Sequence, residues 1–94
     1  MPILNMFFDI IIGMDKKVGG KHNIPHIHAE YGDDEAVFDF DGNLIEGAST
    51  KKKERLVQAW INIHEEELAA NRKLLSEGEQ FFKIPPLQLW RESA

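Results

Sequence analysis

The sequence predicts an α+β fold, in which a three- to four-stranded antiparallel sheet packs one long or broken C-terminal helix on one face. The sheet is predicted by short apolar segments that alternate with polar residues in the first half, and by the Gly- and Asp-rich turns between them. The helix is predicted by apolar residues that recur at helical spacing after residue 50. We expect residues 1–94 to form one domain, with the sheet at 1–47, the helical segment at 48–78 and an extended tail at 79–94.

The first predicted strand is Met6–Met14, a segment rich in Ile and Phe. Alternation places Phe8 on the same face as Ile10 and Ile12, and we expect that face to be buried. The next segment, 15–23, contains two glycines and three lysines and is typical of a loop.

The next two strands, at 26–31 and 35–40, are predicted to form an antiparallel hairpin. A turn centred on Asp33-Asp34 would pair His28 with Asp39 across the strands, and the same register would pair His26 with Asp41 on the same face. A slip by one residue would bury histidines and expose phenylalanines, so the apolar pattern opposes it.

A short fourth strand is predicted at Asn43–Glu46, and Ser49 or Thr50 can cap the helix that follows. One straight helix from Lys51 to Gly78 would be about 42 Å long, which is awkward in so small a domain. We therefore expect a bend or break near His64, where three glutamates resemble a new first turn. The predicted core comprises Phe8, Ile10, Ile12, Ile27, Ala29, Tyr31, Ala36, Phe38, Leu56, Trp60 and Ile63.

Composition limits the function classes. The net charge is −5, and residues 1–47 hold nine acids and three bases, which argues against a general nucleic-acid binder. The chain has no cysteine, so any metal site must use histidine and carboxylate ligands. The sequence contains no apolar segment long enough to span a bilayer and no export-signal pattern, and we expect a cytoplasmic protein.

The candidate binding site lies on the predicted strand 26–31. His26, His28 and Glu30 alternate along it and share one face. Two histidines in an H-x-H pattern can hold a divalent metal ion such as zinc, iron, nickel or manganese. The third ligand would come from Glu30, Asp39, His22 or His64.

Other interpretations of the same residues remain open. The two rings can simply pair with Asp39 and Asp41 as cross-strand contacts. They can also act as base and acid in metal-free RNA cleavage, or contact a partner. RNA cleavage also needs a cation, which only the lysines of segment 15–23 or the basic start of the helix would supply.

The chain resembles a small bacterial and archaeal family of unknown function whose hallmark is the stretch H-x-P-P-H-F-H-A-x-Y-G. The matching residues here are His22 to Gly32, with Ile24 at the position of the first proline. Further matching stretches are Phe7-Phe8-Asp9-Ile10, Ala36-Val37-Phe38, Leu44-Ile45-Glu46-Gly47, Trp60-x-x-x-His64-x-x-x-Leu68 and Lys83-Ile84-x-Pro86-Leu87. The sequence also departs from the family in a longer loop before His22 that carries Gly19-Gly20, and in Asn71, where a second tryptophan is common.

The resemblance implies that the gene for this protein often lies beside the gene for another small protein, in the manner of toxin–antitoxin pairs. The first functional hypothesis is therefore a non-enzymatic component that binds the small protein encoded by a neighbouring gene, without a cofactor. The alternative is a histidine-site protein, either metal-binding or a ribonuclease-type toxin, that uses His26 and His28. A homodimer is a further possibility, built on a sheet edge or on the tail.

Overall fold

A computed structural model describes residues 2–15 and 24–87. Within these residues the α+β prediction is confirmed, but the sheet has five strands where three to four were expected, and the helical segment is two helices. All neighbouring strands pair antiparallel in the order of the sequence. The elements are β1 (Ile3–Phe7), β2 (Ile10–Gly13), β3 (His26–Tyr31), β4 (Asp34–Asp39), β5 (Leu44–Gly47), α1 (Lys51–Ile63) and α2 (Glu65–Ser76).

The prediction of one strand at 6–14 is wrong, because the chain reverses at Phe8-Asp9 and forms the hairpin β1–β2. Both turn residues adopt positive φ, 49° for Phe8 and 64° for Asp9. A hairpin turn of this kind favours Asn, Asp or Gly, and Phe8 is none of these, so the sequence carries only a weak signal for it. Phe8 was predicted to be buried, but it lies in the turn and is 47% exposed, whereas Ile10 and Ile12 are buried as predicted.

The second hairpin, β3–β4, exists as predicted, but its register differs by two residues. Tyr31 lies opposite Asp34, and the turn is Gly32-Asp33, with Gly32 at φ +59°. His26 therefore lies opposite Asp39, and His28 lies opposite Val37 rather than Asp39. A shift of two residues leaves every side chain on its predicted face, because alternation along a strand has a period of two. The predicted pairs His28–Asp39 and His26–Asp41 are nevertheless wrong.

The helical segment breaks at His64, as expected. Thr50 caps α1, since its side-chain oxygen accepts a hydrogen bond from the Lys53 N–H at 3.2 Å. The break residue, His64, has φ −114° and ψ 30°, and its N–H donates to the carbonyls of Trp60 and Ile61 at 3.1 and 3.2 Å. The helix is therefore interrupted without leaving this backbone donor unpaired.

The helices cover one face of the sheet, here called the inner face, and the opposite face is the outer face. Trp60 is fully buried and stacks on Phe7 with ring centroids 5.9 Å apart. Two predicted core residues lie elsewhere, since Ile63 is 62% exposed and Tyr31 is 41% exposed, and Leu56 is only partly buried. The buried cluster is Leu4, Phe7, Ile10, Ile12, Met14, Ile27, Ala29, Ala36, Phe38, Val57, Trp60, Ile61, Leu68, Leu75, Ile84 and Leu87.

The tail after α2 is extended and is fixed by side chains of the helices. The buried Asn71 donates to the carbonyl of Phe82 at 2.8 Å and accepts from its N–H at 2.9 Å, as a neighbouring strand would. The Trp60 indole N–H donates to the Pro85 carbonyl at 2.9 Å. Neither helix in the described part of the chain is long and apolar enough to cross a membrane.

Candidate metal centre

The two histidines of β3 project from the outer face. Ile27 and Ala29 between and beside them are buried in the core, while His26 and His28 are half-buried. Their ring centroids are 5.3 Å apart, with the ring planes at 67°. Gly13 lies directly opposite His28 in β2, so β2 places no side chain beside that imidazole.

A carboxylate joins the two rings at the end of β2. The Asp15 Oδ2 atom lies 2.9 Å from Nε2 of His28 and 3.9 Å from Nε2 of His26. One ligand atom from each of the three residues lies within 4.8 Å of the others. We call Asp15, His26 and His28 the His₂Asp cluster.

The other nitrogen of each ring faces a hydrogen-bond acceptor. Nδ1 of His26 lies 2.7 Å from the carbonyl oxygen of Ile24, and Nδ1 of His28 lies 3.0 Å from Oε2 of Glu35. Carbonyl and carboxylate oxygens only accept, so a proton on Nδ1 satisfies the acceptor at each ring. In a neutral ring, Nε2 then carries the lone pair that a metal requires, and both Nε2 atoms lie near Asp15.

The contacts of His28 favour a positive charge in the cluster. Both of its ring nitrogens lie within 3.0 Å of a carboxylate oxygen, yet a neutral imidazole has only one N–H to donate. With both carboxylates ionised, two arrangements satisfy them: a doubly protonated ring, or a cation between Nε2 and Asp15. The second is the carboxylate–histidine–metal arrangement, in which Glu35 would orient the ligand.

The spacing of the cluster fits a first-row metal ion. Two atoms that each lie about 2.1 Å from one metal are roughly 3.0–3.4 Å apart. The distance from Asp15 Oδ2 to His28 Nε2, 2.9 Å, is close to this range. The distance from Asp15 Oδ2 to His26 Nε2, 3.9 Å, is longer, and a small movement of either side chain would bring it into the range. Two histidines and one carboxylate leave further coordination positions open, as in iron and zinc sites that bind a substrate or water.

The other predicted ligands among the described residues lie outside the cluster. Glu30 shares the outer face but lies opposite Ile11 and Glu35, two residues beyond His28 along β3. His64 is buried at the helix junction, where its Nδ1 contacts Oε1 of Glu67 at 2.7 Å and its ring lies 5.3 Å from that of Trp60. The prediction for His22 falls outside the described residues.

Asp39 is used in a turn. Its carboxylate accepts hydrogen bonds from the Asp41 N–H at 2.9 Å, the Asn43 N–H at 2.8 Å and the Asn43 side chain at 3.0 Å. Burial alone would raise the pKa of Asp39, but the hydrogen bonds from Asn43, Asp41 and Gly42 outweigh it and hold the pKa below the ordinary value of 3.8. Asp39 therefore stabilises the β4–β5 connection.

Sequence reasoning missed two residues of the site, Asp15 and Glu35. The β2–β3 register pairs Gly13 with His28, so the same register continued by two residues brings Asp15 opposite His26. The sequence alone does not show that β2 and β3 are neighbours, so it could not bring Asp15 next to His26. Glu35 was missed because the expected register put it next to the turn, whereas the observed register pairs it with Glu30, diagonal to His28.

The family DUF4160, described as a domain of unknown function, matches residues 10–71, about two thirds of the chain. The chain belongs to this family. The matched range contains the whole His₂Asp cluster and Glu35. No curated protein and no solved structure gave a significant match.

Proposed function

We propose that this protein is a cytoplasmic binding protein whose His₂Asp cluster holds a divalent transition-metal ion. The observation that carries the proposal is the convergence of both Nε2 atoms on one carboxylate oxygen of Asp15, at 2.9 and 3.9 Å. Acceptors at both Nδ1 atoms support it, because a proton held at Nδ1 leaves Nε2 to ligate a metal. Imidazole and carboxylate together suit zinc, iron, nickel or manganese.

The test is metal binding by protein purified without a histidine tag. Elemental analysis of the purified protein and calorimetric titration with Zn²⁺, Ni²⁺, Mn²⁺ and anaerobic Fe²⁺ should give one ion per chain. We expect His26→Ala, His28→Ala and Asp15→Asn each to weaken binding by at least about 100-fold, since each removes a direct ligand.

Two matched controls keep the test specific. Asp33→Asn removes an exposed carboxylate at the turn of the same hairpin, and His64→Gln removes a histidine that contacts Glu67 instead. Both variants should bind metal as the wild type does. A wild type that binds no divalent ion more tightly than the His26→Ala/His28→Ala double variant would overturn the proposal and leave a His28–carboxylate ion pair.

The same variants separate metal binding from the ribonuclease-type alternative, in which His26 and His28 act as acid and base. Acid–base catalysis without metal predicts RNA cleavage that survives EDTA and is lost in both histidine variants. The carboxylates that surround the rings disfavour that chemistry, because they would repel the RNA phosphates. Cleavage of a labelled RNA by the metal-free wild type would favour it.

A second candidate function is that of a non-enzymatic component that binds the small protein encoded by a neighbouring gene, as in a toxin–antitoxin-like module. An exposed aromatic pair supports it: Phe8 is 47% exposed and Tyr31 is 41% exposed. Lys53 links the two, with its Nζ 3.2 Å from the Phe8 carbonyl and 3.9 Å from the centre of the Tyr31 ring. Aromatic residues of this kind often dominate protein interfaces.

Co-expression of the two neighbouring genes tests this second function. We expect co-purification at a fixed ratio, and loss of the complex in a Phe8→Ala/Tyr31→Ala variant that retains the wild-type circular dichroism spectrum. Ile63→Ala is the control, because Ile63 is exposed on α1 and lies outside this pair. Failure of the two wild-type proteins to associate would remove the candidate.

A further inference from the structure

The outer face has an apolar half next to the half that carries the His₂Asp cluster. The register pairs Met6 with Ile11 and Ile3 with Gly13, so Ile3, Met6 and Ile11 share the face of His28 and Glu30. Met6 is 60% exposed. These three residues, here called the apolar strip, line an open groove of about 400 Å³ together with Leu4, Asn5 and Lys83.

Opposite charges flank the apolar strip. On one side the tail runs beside β1, where the Ile84 N–H donates to the Leu4 carbonyl at 3.2 Å, and Lys83 borders the groove. On the other side Glu30 lies directly opposite Ile11. Within residues 2–15 and 24–87, neither the Lys83 nor the Glu30 side chain takes part in an ion pair. Across the sheet, the order of elements is therefore the tail with Lys83, β1 with Met6, β2 with Ile11 and β3 with Glu30.

This order is complementary to itself. Consider a second copy packed face to face about a two-fold axis that runs parallel to the strands and falls between Met6 and Ile11. This axis places the tail side of one copy over the β3 side of the other. Lys83 of each copy then faces Glu30 of the other, while the two apolar strips bury each other. Isologous interfaces require this kind of self-complementarity. A partner of uniform charge would leave one of the two flanking charges opposite a like charge.

We propose that the apolar strip is the interface of a homodimer, with reciprocal Lys83–Glu30 ion pairs at its two edges. The occupant of the groove is a second copy of this chain. The His₂Asp cluster lies on the same face one row of residue pairs away from Glu30, at the border of the interface. The proposal does not depend on metal binding, because no ligand of the cluster belongs to the apolar strip.

Sedimentation equilibrium and light scattering of the purified full chain test the dimer, with fold checked by circular dichroism. We expect the wild type to be dimeric and Met6→Glu to be monomeric, because that change buries two unpaired charges at the axis. Ile63→Glu is the matched control: Ile63 is 62% exposed, as Met6 is 60% exposed, but it lies on α1, so this variant should remain dimeric.

Charge reversal identifies the geometry. Lys83→Glu and Glu30→Lys should each raise the dimer dissociation constant by about tenfold, because each places like charges at both edges. The double reversal should restore the wild-type constant, which a purely structural effect would not do. A monomeric wild type overturns the proposal, including when the strip instead binds a different protein. The proposal is also overturned if Met6→Glu remains dimeric. It is likewise overturned if the double reversal of Lys83 and Glu30 does not restore the wild-type dissociation constant. Zinc titration of Met6→Glu reports separately on the cluster.

Discussion

The two hairpins β1–β2 and β3–β4 are alike on the inner face and different on the outer face. On the inner face both contribute buried apolar residues, such as Ile12 from the first and Ile27 from the second. On the outer face the first carries Met6 and Ile11, and the second carries histidines and carboxylates. The difference teaches that packing against the helices constrains one face of each strand, while the other face remains available for binding.

The largest effect we expect falls on β5, at its pairing with β4 of the second hairpin. A Cβ at Gly47 would overlap the carbonyl oxygen of Glu35 and come within 2.9 Å of the Ala36 Cα, and Gly47 has φ +87°. Gly47→Ala should therefore lower the free energy of unfolding by about 3 kcal/mol or more, as measured by urea titration. It should also weaken metal binding, because β4 carries Glu35.

Gly32→Ala is the matched control for that change. Its φ of +59° is also unfavourable for alanine, but no atom lies within 4 Å of the added Cβ. We expect a loss of only about 1–2 kcal/mol, from the backbone conformation alone. Equal losses in the two variants would contradict the close β4–β5 approach at Gly47.

The comparison also explains what the sequence could predict. In the second hairpin the faces were predictable, since Ile27 and Ala29 alternate with histidines beside a glycine-containing turn. The register was not, because turns at Gly32-Asp33 and at Asp33-Asp34 bury the same residues. In the first hairpin the turn Phe8-Asp9 begins with a residue that rarely adopts positive φ and lacks the glycine typical of such turns, so two strands appeared to be one. Of the His₂Asp cluster, the sequence therefore indicated both histidines as candidate ligands but not Asp15.

The second effect concerns the carboxylate behind His28. Glu35→Gln should weaken metal binding by about 10- to 100-fold, because a neutral amide holds the Nδ1–H less strongly than a carboxylate does. Glu30→Gln is the control, since Glu30 lies directly opposite Glu35 on the same face and outside the contacts of His28. Calorimetric titration and the visible absorption of bound Co²⁺ measure both. Equal affinities in the two variants would remove Glu35 from the site.

A smaller effect concerns the turn that ends the second hairpin. Hydrogen bonds hold the folded-state pKa of Asp39 below 3.8, so its stabilising contribution is present above the unfolded-state pKa and is lost as the pH falls through the folded-state pKa. Asp39→Asn should lower the free energy of unfolding by about 1 kcal/mol at neutral pH. Below about pH 4 the difference from the wild type should shrink.

Urea titrations at several pH values measure this effect, with Asp33→Asn as the control. Asp33 is an exposed residue of the hairpin turn. A constant difference between Asp39→Asn and the wild type from pH 7 to pH 2.5 would contradict the assignment.

The smallest effect belongs to the first hairpin. Asp9 has φ 64°, a conformation that glycine adopts without strain. Asp9→Gly should raise the free energy of unfolding by about 0.5 kcal/mol, because the relief of strain exceeds the entropy that glycine adds to the unfolded chain. Thermal unfolding at one protein concentration measures it, and a lower melting temperature would refute the expectation.

The order of the strands has a consequence for how the chain acquires its structure. Each strand pairs with its neighbour in sequence, so every ladder closes a short loop, whereas the contact of the tail with β1 joins residues 80 positions apart, Leu4 and Ile84. Short loops close at low entropic cost and form early. We expect pulse-labelling hydrogen exchange during refolding to protect the amides of β3 and β4 before that of Ile84. On the ribosome, the sheet can thus assemble while the last segment is still inside the exit tunnel.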